Sequence, residues 1–353
     1  MWRERLARVM AGLRQFFRRL GGLIPTRRLG RWLGIVLGLV LLVLIALGWY
    51  WSNEPNTFDP VARAEQHARQ NDRERVVGYA TTYTLTELMR TLLEKPGGYL
   101  SNDVAPPSVW LDNMPSWEFG VVTQVRDLSR AMRRDLSRSQ SQSTEDPDLA
   151  QAEPLFHFDN SSWILPSTEG EYRRGLRLVD SYLNRLSDPA NAQAQFYARA
   201  DNLRSYLSDV ETRLGSLSQR LSASVEQRRV NTDLAREGGA AQSTPAAQEQ
   251  SVKTPRLQVD NVFYEARGTT WALLHILKAI ESDFGSVLDN KNARASLQQI
   301  IRELEATQRH LWSPIVLNGS GFGVLANHSL VMASYISRAN AALIDLRELL
   351  ATG

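Results

Sequence analysis

The stretch from Leu33 to Trp51, LGIVLGLVLLVLIALGWYW, determines how this chain is organised. It carries no charge, and its length meets the roughly 20 apolar residues that a helix needs to cross a hydrocarbon core about 30 Å thick. Trp32 precedes it and a Trp-Tyr-Trp triplet closes it, which is typical of the aromatic belts at membrane interfaces. The sequence therefore predicts a transmembrane helix over residues 32–51.

A cleaved secretory signal is the main alternative, because it also places an apolar run near an N-terminus. Such a signal has a short charged lead, roughly 7–15 apolar residues and a small-residue cleavage site. Here the lead is 32 residues long, and the sequence that follows the apolar run, SNEPN, contains no A-x-A pattern. These features favour an uncleaved anchor over a signal or over a buried helix of a soluble core.

The predicted anchor divides the charge of the chain unequally. Residues 1–51 contain nine arginines and one glutamate, a net charge of +8, and because the whole chain carries +3, residues 52–353 carry −5. The positive-inside rule places the N-terminus in the cytoplasm and the large domain across the membrane, which in a bacterium is the periplasm. The arginines suit the anionic lipid of the inner leaflet, so they do not indicate a nucleic-acid partner.

Residues 1–31 have the pattern of a basic amphipathic segment. Arginine fills much of the space between apolar residues that recur every three or four positions. These apolar residues are Trp2, Leu6, Val9, Leu13, Phe16 and Leu20. This spacing predicts a helix lying on the cytoplasmic face of the membrane, with a disordered basic tail as the alternative. Gly30, Gly34 and Gly38 then form two overlapping G-x-x-x-G steps, which predict a dimer face in the anchor and hence a homo-oligomer.

The remaining 302 residues show helical spacing almost throughout and little of the alternation typical of strands. Long apolar seams run over residues 172–186, 196–221, 259–287 and 297–311. They predict an all-α domain, an elongated bundle with long coiled-coil-like helices at shallow angles. Asp188-Pro189 is expected to begin the second of these helices. Since the chain has no cysteine, disulfides and thiol chemistry are excluded.

The second seam is compatible with a coiled-coil dimer or with packing inside one chain. A parallel pair of copies would place Arg199 of one helix against Arg204 of the other. These are like charges at flanking positions where opposite charges are expected. The seam is therefore predicted to pack within the chain.

Three segments depart from the helical pattern. Residues 137–153 and 230–255 are rich in Ser, Gln, Ala and Thr without apolar periodicity, which predicts mobile loops. Residues 95–117 are instead dense in Pro, Gly and Trp, and are expected to be ordered with Trp110 and Trp117 buried. This loop is either a cap on the bundle or a binding surface.

The sequence contains no recognisable catalytic or metal-binding motif. Its histidines lack the spacing of a zinc helix, and there is no nucleophile elbow, phosphate loop or complete dinucleotide fingerprint. We therefore predict no catalytic residue, no metal and no cofactor. His275 is expected to be a core residue, and the GSGFG run at 319–323 a tight turn between helices.

The final segment, residues 313–350, is the most distinctive part of the domain. Its helix is apolar over most of its circumference and is expected to lie centrally, yet polar residues recur close to one face. A buried polar stripe is either an internal hydrogen-bonded network or a site for a ligand or partner. Its candidate residues are Asn318, Asn327, His328, Ser334, Arg338 and Asp345. Convergence with Asp103, Asp112 or Glu118 in an open cleft would favour the ligand site.

Three runs of the outer domain are long and unusual: NEPNTFDP at 53–60, WALLHILKAIESDF at 271–284 and SPIVLNGSGFGVLANHSLVMASYISRANAALIDLRELL at 313–350. They resemble a proteobacterial family of single-anchor inner-membrane proteins that is catalogued only as a domain of unknown function. The resemblance implies a bacterial inner-membrane location. It implies no catalytic residue, cofactor or substrate.

Two functions agree with these observations. The leading interpretation is a non-enzymatic envelope scaffold or interaction protein, with envelope proteins, lipid or cell wall as partners. The alternative is a periplasmic enzyme or ligand sensor with a site near the last helix and the 95–117 loop. The orientation of the polar residues in 327–345 distinguishes the two.

Overall fold

The structure is a computed structural model in which the described residues are 26–138, 144–188, 194–225, 227–230, 249–313, 315–320 and 323–352. The chain divides into two compact units between Trp51 and Ser52. Of the basic amphipathic segment predicted over residues 1–31, residues 1–25 lie outside the described residues.

The first unit contains one long helix, α1, which spans Thr26–Trp51. Within it, Gly30–Trp51 is long and apolar enough to cross a membrane or to serve as a signal sequence, and it is the one such helix in the described chain. A Cβ added to Gly30, Gly34 or Gly38 would meet no atom within 4 Å. The three glycines therefore form an open face, and the dimer through them stays a prediction.

The described residues of the second unit form ten α-helices, which confirms the all-α class. These are α2 (Pro60–Gln70), α3 (Tyr79–Glu94), α4 (Asn113–Ala131), α5 (Pro147–Phe156), α6 (Thr168–Leu186), α7 (Ala200–Ser222), α8 (Val259–Asp283), α9 (Gly285–Asn290), α10 (Arg294–Thr307) and α11 (His328–Thr352). One short antiparallel pair, β1 (Gln227–Val230) and β2 (Glu249–Val252), is added to them, with Gln227 opposite Val252.

Helix α8 forms the centre of the bundle and packs against α3, α4, α7 and α10. Most of its residues are buried all around the helix, because small residues alternate with large apolar ones. The closest approach is to α4, at Gly120 and Gly268. A Cβ at Gly268 would lie 2.0 Å from the carbonyl oxygen of Trp117, and one at Gly120 would lie 2.2 Å from that of Glu265. Glycine is therefore required on both sides of this crossing.

Alanine at this crossing is expected to destabilise the domain, although alanine normally favours a helix over glycine by about 1 kcal/mol. Gly268→Ala must separate two backbones, and overpacking of this kind costs typically about 1–3 kcal/mol. Gly215→Ala on α7 is the matched control, because its Cβ would meet its nearest atom at 3.7 Å. In denaturant unfolding, the free energy of unfolding is expected to fall for Gly268→Ala and to rise for Gly215→Ala. Stabilisation by Gly268→Ala would contradict the tight crossing.

The predicted seam of α7 is buried inside the chain. Leu207, Leu214 and Leu221 are almost completely inaccessible and pack in the same monomer. The flanking arginines pair within the chain too, Arg213 with Asp127 of α4 and Arg220 with a glutamate of α8. The prediction of internal packing is therefore confirmed.

Helix α11 is peripheral rather than central, contrary to the prediction. It packs on α7 and α10 through one face that includes Met332, Ile336, Leu343 and Leu350. Val331, on another face, is 54% exposed. The abundance of alanine made this helix look apolar all round, but alanine is equally tolerated on an exposed face.

Three predicted boundaries were wrong. The segment 137–153 was predicted to be a mobile loop, but α5 begins at Pro147, where the Asp146 carboxylate accepts the N–H groups of the first turn. The segment 230–255 was predicted to be a loop too, but β2 lies in it, paired with β1, and its residues 231–248 are outside the described chain. Residues 194–199 are not helical, so α7 does not begin at Asp188-Pro189. There Phe196 packs edge-on against the ring of Phe284, a tertiary contact that leaves no local signal.

Candidate functional site

The two predicted asparagines hold the turn that precedes α11. The side-chain amide of Asn327 donates to Oδ1 of Asn318 at 2.8 Å and to the carbonyl of Gly319 at 2.6 Å. Oδ1 of Asn327 accepts the N–H of Leu330, as a helix N-cap does. A Cβ on Gly319 would lie 2.0 Å from the carbonyl oxygen of Leu325. The two asparagines therefore hold together the two ends of the segment that contains the GSGFG run, whose residues 321–322 lie outside the described chain.

His328 is fixed by the same turn. Its ring atom Nδ1 accepts the backbone N–H of Leu317 at 3.1 Å, and the backbone N–H of His328 donates to the Leu317 carbonyl at 2.9 Å. In the neutral ring the proton therefore resides on Nε2. Partial burial lowers the pKa of His328 below its ordinary value, which favours this neutral form.

The other three predicted residues lie on the exposed surface of α11. Arg338 pairs with Glu303 of α10 at 2.9 Å, donates to the Ser334 hydroxyl at 2.8 Å, and lies 4.6 Å from the centre of the Tyr335 ring. Asp345 is also exposed. The predicted polar stripe is therefore buried only at its start: Asn327 is 5% exposed, whereas Ser334, Arg338 and Asp345 face solvent.

The three acidic residues considered with them do not join this group. Asp103 and Asp112 are exposed, while Glu118 is completely buried, with one carboxylate oxygen 2.6 Å from Nζ of Lys95. The same carboxylate accepts the N–H of Leu100 at 2.8 Å. Burial raises the pKa of Glu118, and the Lys95 ammonium opposes that rise. This pair fixes the loop that joins α3 to α4.

That loop follows its prediction only in part. Trp117 is fully buried and its ring centre lies 5.2 Å from that of Trp271. Trp110 is 57% exposed, so the prediction that it is buried was wrong. The loop is ordered by Lys95 and Glu118, and it leaves an apolar ring on the surface.

A cavity with largely apolar walls lies beside the first turns of α11. Its volume is about 470 Å³, within the range of small-molecule sites. It is bounded by the start of α8, the end of α10, residues 309–313, Leu317 and α11. The polar groups Arg309, His310 and His328 lie at its edge. Its walls are largely apolar and are formed by Phe263, Leu311, Trp312, Leu317, Val331, Met332 and Tyr335. Of the six predicted site residues, only His328 lines it.

Arg309 is the free cation at this cavity. Its side chain is exposed, and it forms no ion pair with any described residue. Its backbone carbonyl, in contrast, accepts a hydrogen bond at 3.1 Å from Arg267, which is 7% exposed. The cavity therefore combines apolar walls with one positive charge that the described residues leave uncompensated.

A polar cavity of about 570 Å³ adjoins the first, and Arg267 borders both. Nε of Arg267 donates to Oε1 of Glu54 at 2.7 Å and Nη2 donates to Oε2 at 2.5 Å, while Nη1 donates to the carbonyl of Thr307 at 3.1 Å. This arginine therefore ties the first residues after α1 to the C-terminus of α10. Planar bidentate pairing of this kind is specific to arginine.

Sequence analysis missed Arg267 and Glu54 as functional positions. A signal was present for Arg267, because it is a charge placed between Ala266 and Thr270, two positions of the apolar seam of α8. A buried charge needs a partner, so this position pointed to an ion pair. The identity of Glu54 as that partner depends on a contact over 213 positions of sequence, which no local pattern reveals.

The comparisons with known proteins give a family but no function. The family model DUF2333, described as an uncharacterized protein conserved in bacteria, matches residues 26–353. No curated protein and no solved structure matches the chain. Among the described residues, no group of three or more His, Cys, Asp or Glu side chains is placed to hold a metal ion.

Proposed function

We propose that this chain, which belongs to the DUF2333 family of proteins conserved in bacteria, is a non-enzymatic binding module held in the inner membrane by α1. Its N-terminus lies in the cytoplasm and its second unit in the periplasm. The apolar span Gly30–Trp51 and the charge of +8 on residues 1–51 support this topology. Protease added to spheroplasts is expected to digest the second unit; complete protection would contradict the orientation.

The cavity beside α11 carries the proposal of a binding function. It takes up an amphiphile with one negative charge, such as a molecule with an acyl chain and an acidic group. The apolar walls receive the chain, because removing apolar surface from water contributes about 25 cal/mol per Å². Arg309 lies at the edge, where it can pair with the acidic group while that group stays hydrated. The neutral ring of His328 presents Nε2–H as a further donor.

Filling the cavity is expected to abolish binding of an amphiphilic probe. Val331→Trp places a large ring at a residue that lines the cavity and is already 54% exposed, so folding is preserved. With dansylaminoundecanoic acid as the probe, we expect its affinity to fall about tenfold or more, which corresponds to about 1.4 kcal/mol. Ile344→Trp, a similarly exposed position of α11 outside the cavity, is the matched control.

The charge at Arg309 gives an independent prediction. Arg309→Gln is expected to weaken the acidic probe about fivefold, since an exposed ion pair contributes up to about 1 kcal/mol. The dansyl amide of undecylamine, which lacks the carboxylate, is expected to bind the natural protein and Arg309→Gln equally. Arg302→Gln, an exposed arginine of α10, serves as the control. Equal loss for both probes would contradict recognition of an anion.

A further inference from the structure

The second unit has one end at which several loops meet, and we call it the near end. It is defined by residues 52–54, the first residues after α1 in the sequence. Residues 52–57 border the polar cavity together with the start of α8 and residues 308–311. The side-chain amide of Asn318 donates to the carbonyl of Ser224 at 3.1 Å, which brings the end of α7 to the same place.

Two further loops reach the near end. Asn113, where the loop from α3 enters α4, lines a cavity with Ile315 and the start of α8. The loop between α5 and α6 lies on that α3–α4 loop, because the side-chain amide of Asn102 donates to the carbonyl of Ser162 at 2.9 Å. The near end is therefore formed by four loops, 95–112, 157–167, 253–258 and the described residues of 308–327.

These four loops hold most of the exposed apolar surface of the unit. Of the fifteen large apolar side chains exposed in its described part, eleven belong to them, so the distribution is strongly one-sided. All eleven are more than half exposed, and six of them, at least one from each loop, define what we call the apolar crown: Trp110, Trp163, Leu165, Leu257, Trp312 and Ile315. The described loop between α2 and α3, at the other end, exposes Val77. Such a concentration marks an interaction surface.

The chemistry of the crown indicates its partner. The four loops carry three aspartates and three exposed basic side chains, so their charges balance and electrostatic attraction is not the basis of recognition. The crown contains all three exposed tryptophans of the described second unit, and tryptophan favours the interface between hydrocarbon and water. The crown also lies at the end where the chain continues from α1, and only two residues separate Glu54 from Trp51.

We propose that the apolar crown inserts into the interfacial layer of the lipid bilayer that α1 spans. This inference rests on the proposed function only in that α1 remains in the membrane. Insertion removes the crown from water, and it holds the near end, with the edge of the amphiphile cavity at Trp312, against the lipid. The cavity is then supplied from the membrane rather than from bulk solvent.

Single-cysteine labelling tests the insertion, because the natural chain has no cysteine. Leu165→Cys, Leu257→Cys and Trp312→Cys are labelled with the fluorophore NBD in the full-length protein, reconstituted into phosphatidylcholine vesicles. Val77→Cys is the matched control. The crown positions are expected to show blue-shifted emission and quenching by lipids with nitroxides near the headgroup, while Val77 shows neither. Because charge is not the basis, 0.5 M salt leaves the quenching unchanged.

The outcomes separate this inference from the proposed function. Vesicle flotation shows whether the anchor is in place, and circular dichroism shows whether each variant is folded. Water-like emission at all crown positions in floating, folded protein would overturn the insertion and would leave the crown as a face for another protein. Binding of dansylaminoundecanoic acid in detergent is measured separately, so loss of one property does not imply loss of the other.

Discussion

Lys95→Met is expected to be among the most destabilising single substitutions in this protein. It leaves the Glu118 carboxylate fully buried without its counter-ion, and removal of one partner of a buried pair costs about 3–5 kcal/mol. The hydrogen bonds from Leu100 and Ser101 remain, but they were already made in the native protein. Urea unfolding of the full chain in detergent, followed by circular dichroism at pH 7.5, measures the loss.

A double variant provides the matched control. Glu118→Gln in the Lys95→Met background removes the uncompensated charge and keeps a carbonyl that can accept from Leu100. We expect it to recover more than half of the lost stability. The deficit of Lys95→Met alone is expected to increase with pH, because removal of the ammonium raises the folded-state pKa of Glu118 further above its unfolded value. A deficit that is the same at pH 5 and pH 7.5 would contradict a charge-based cost.

The second large effect is the dependence of stability on His275. As predicted, this residue lies in the core, fully inaccessible. Its Nε2 accepts the N–H of Phe58 at 3.0 Å, Nδ1 lies 2.7 Å from the Trp271 carbonyl, and the ring stacks on that of Phe58 at 4.0 Å. Desolvation by burial lowers the pKa of His275 to about 4, although the hydrogen bond to the Trp271 carbonyl raises it. The imidazole therefore folds in its neutral form.

The direction of the effect follows from this lowered pKa. The unfolded chain takes up a proton near pH 6.5, whereas the folded chain does so only near pH 4, so acid favours unfolding between these values. The expected loss is about 3 kcal/mol, at 1.36 kcal/mol for each pH unit of difference. His275→Gln keeps an acceptor for Phe58 and does not titrate. Between pH 6.5 and pH 4, the decrease in unfolding free energy is therefore expected to be about 3 kcal/mol smaller for His275→Gln than for the natural chain.

Measuring both proteins at each pH cancels the contribution of the other titrating groups. Identical slopes for the natural chain and His275→Gln would show that His275 is not buried in the neutral form. Because the ring holds Phe58, a protonated His275 is also expected to release the segment that leads from α1 into α2. Faster hydrogen exchange at Phe58 on acidification would report this release.

The main seams could be predicted from sequence because helical periodicity is local. Apolar residues at spacings of three and four identify α6, α7, α8 and α10 without knowledge of their neighbours. The cap at Asp146-Pro147 was equally local and was overlooked. The positions of Phe196 and β2, in contrast, depend on partners distant in the sequence. No pattern in their own residues determines them.

The candidate site was predicted less well, for a physical reason. Polar residues at regular positions on α11 were expected to be buried, but the sequence does not reveal which face a neighbouring helix covers. Asn318 and Asn327 turned out to hold a turn, and Arg338 to pair on the surface. The cavity instead depends on Arg267, residues 309–313 and Leu317, which are brought together only by packing.

The sequence by itself determined the properties that follow from composition and period: an apolar span, an uneven charge on its two sides and a helical second unit. Only the tertiary structure decided where the exposed apolar residues gather and which charges are compensated. The ion pair of Arg267 with Glu54 and the grouping of Trp110, Trp163 and Trp312 at the near end join residues far apart in the chain. Burial and proximity are properties of the folded surface, and so they become defined only when the helices pack.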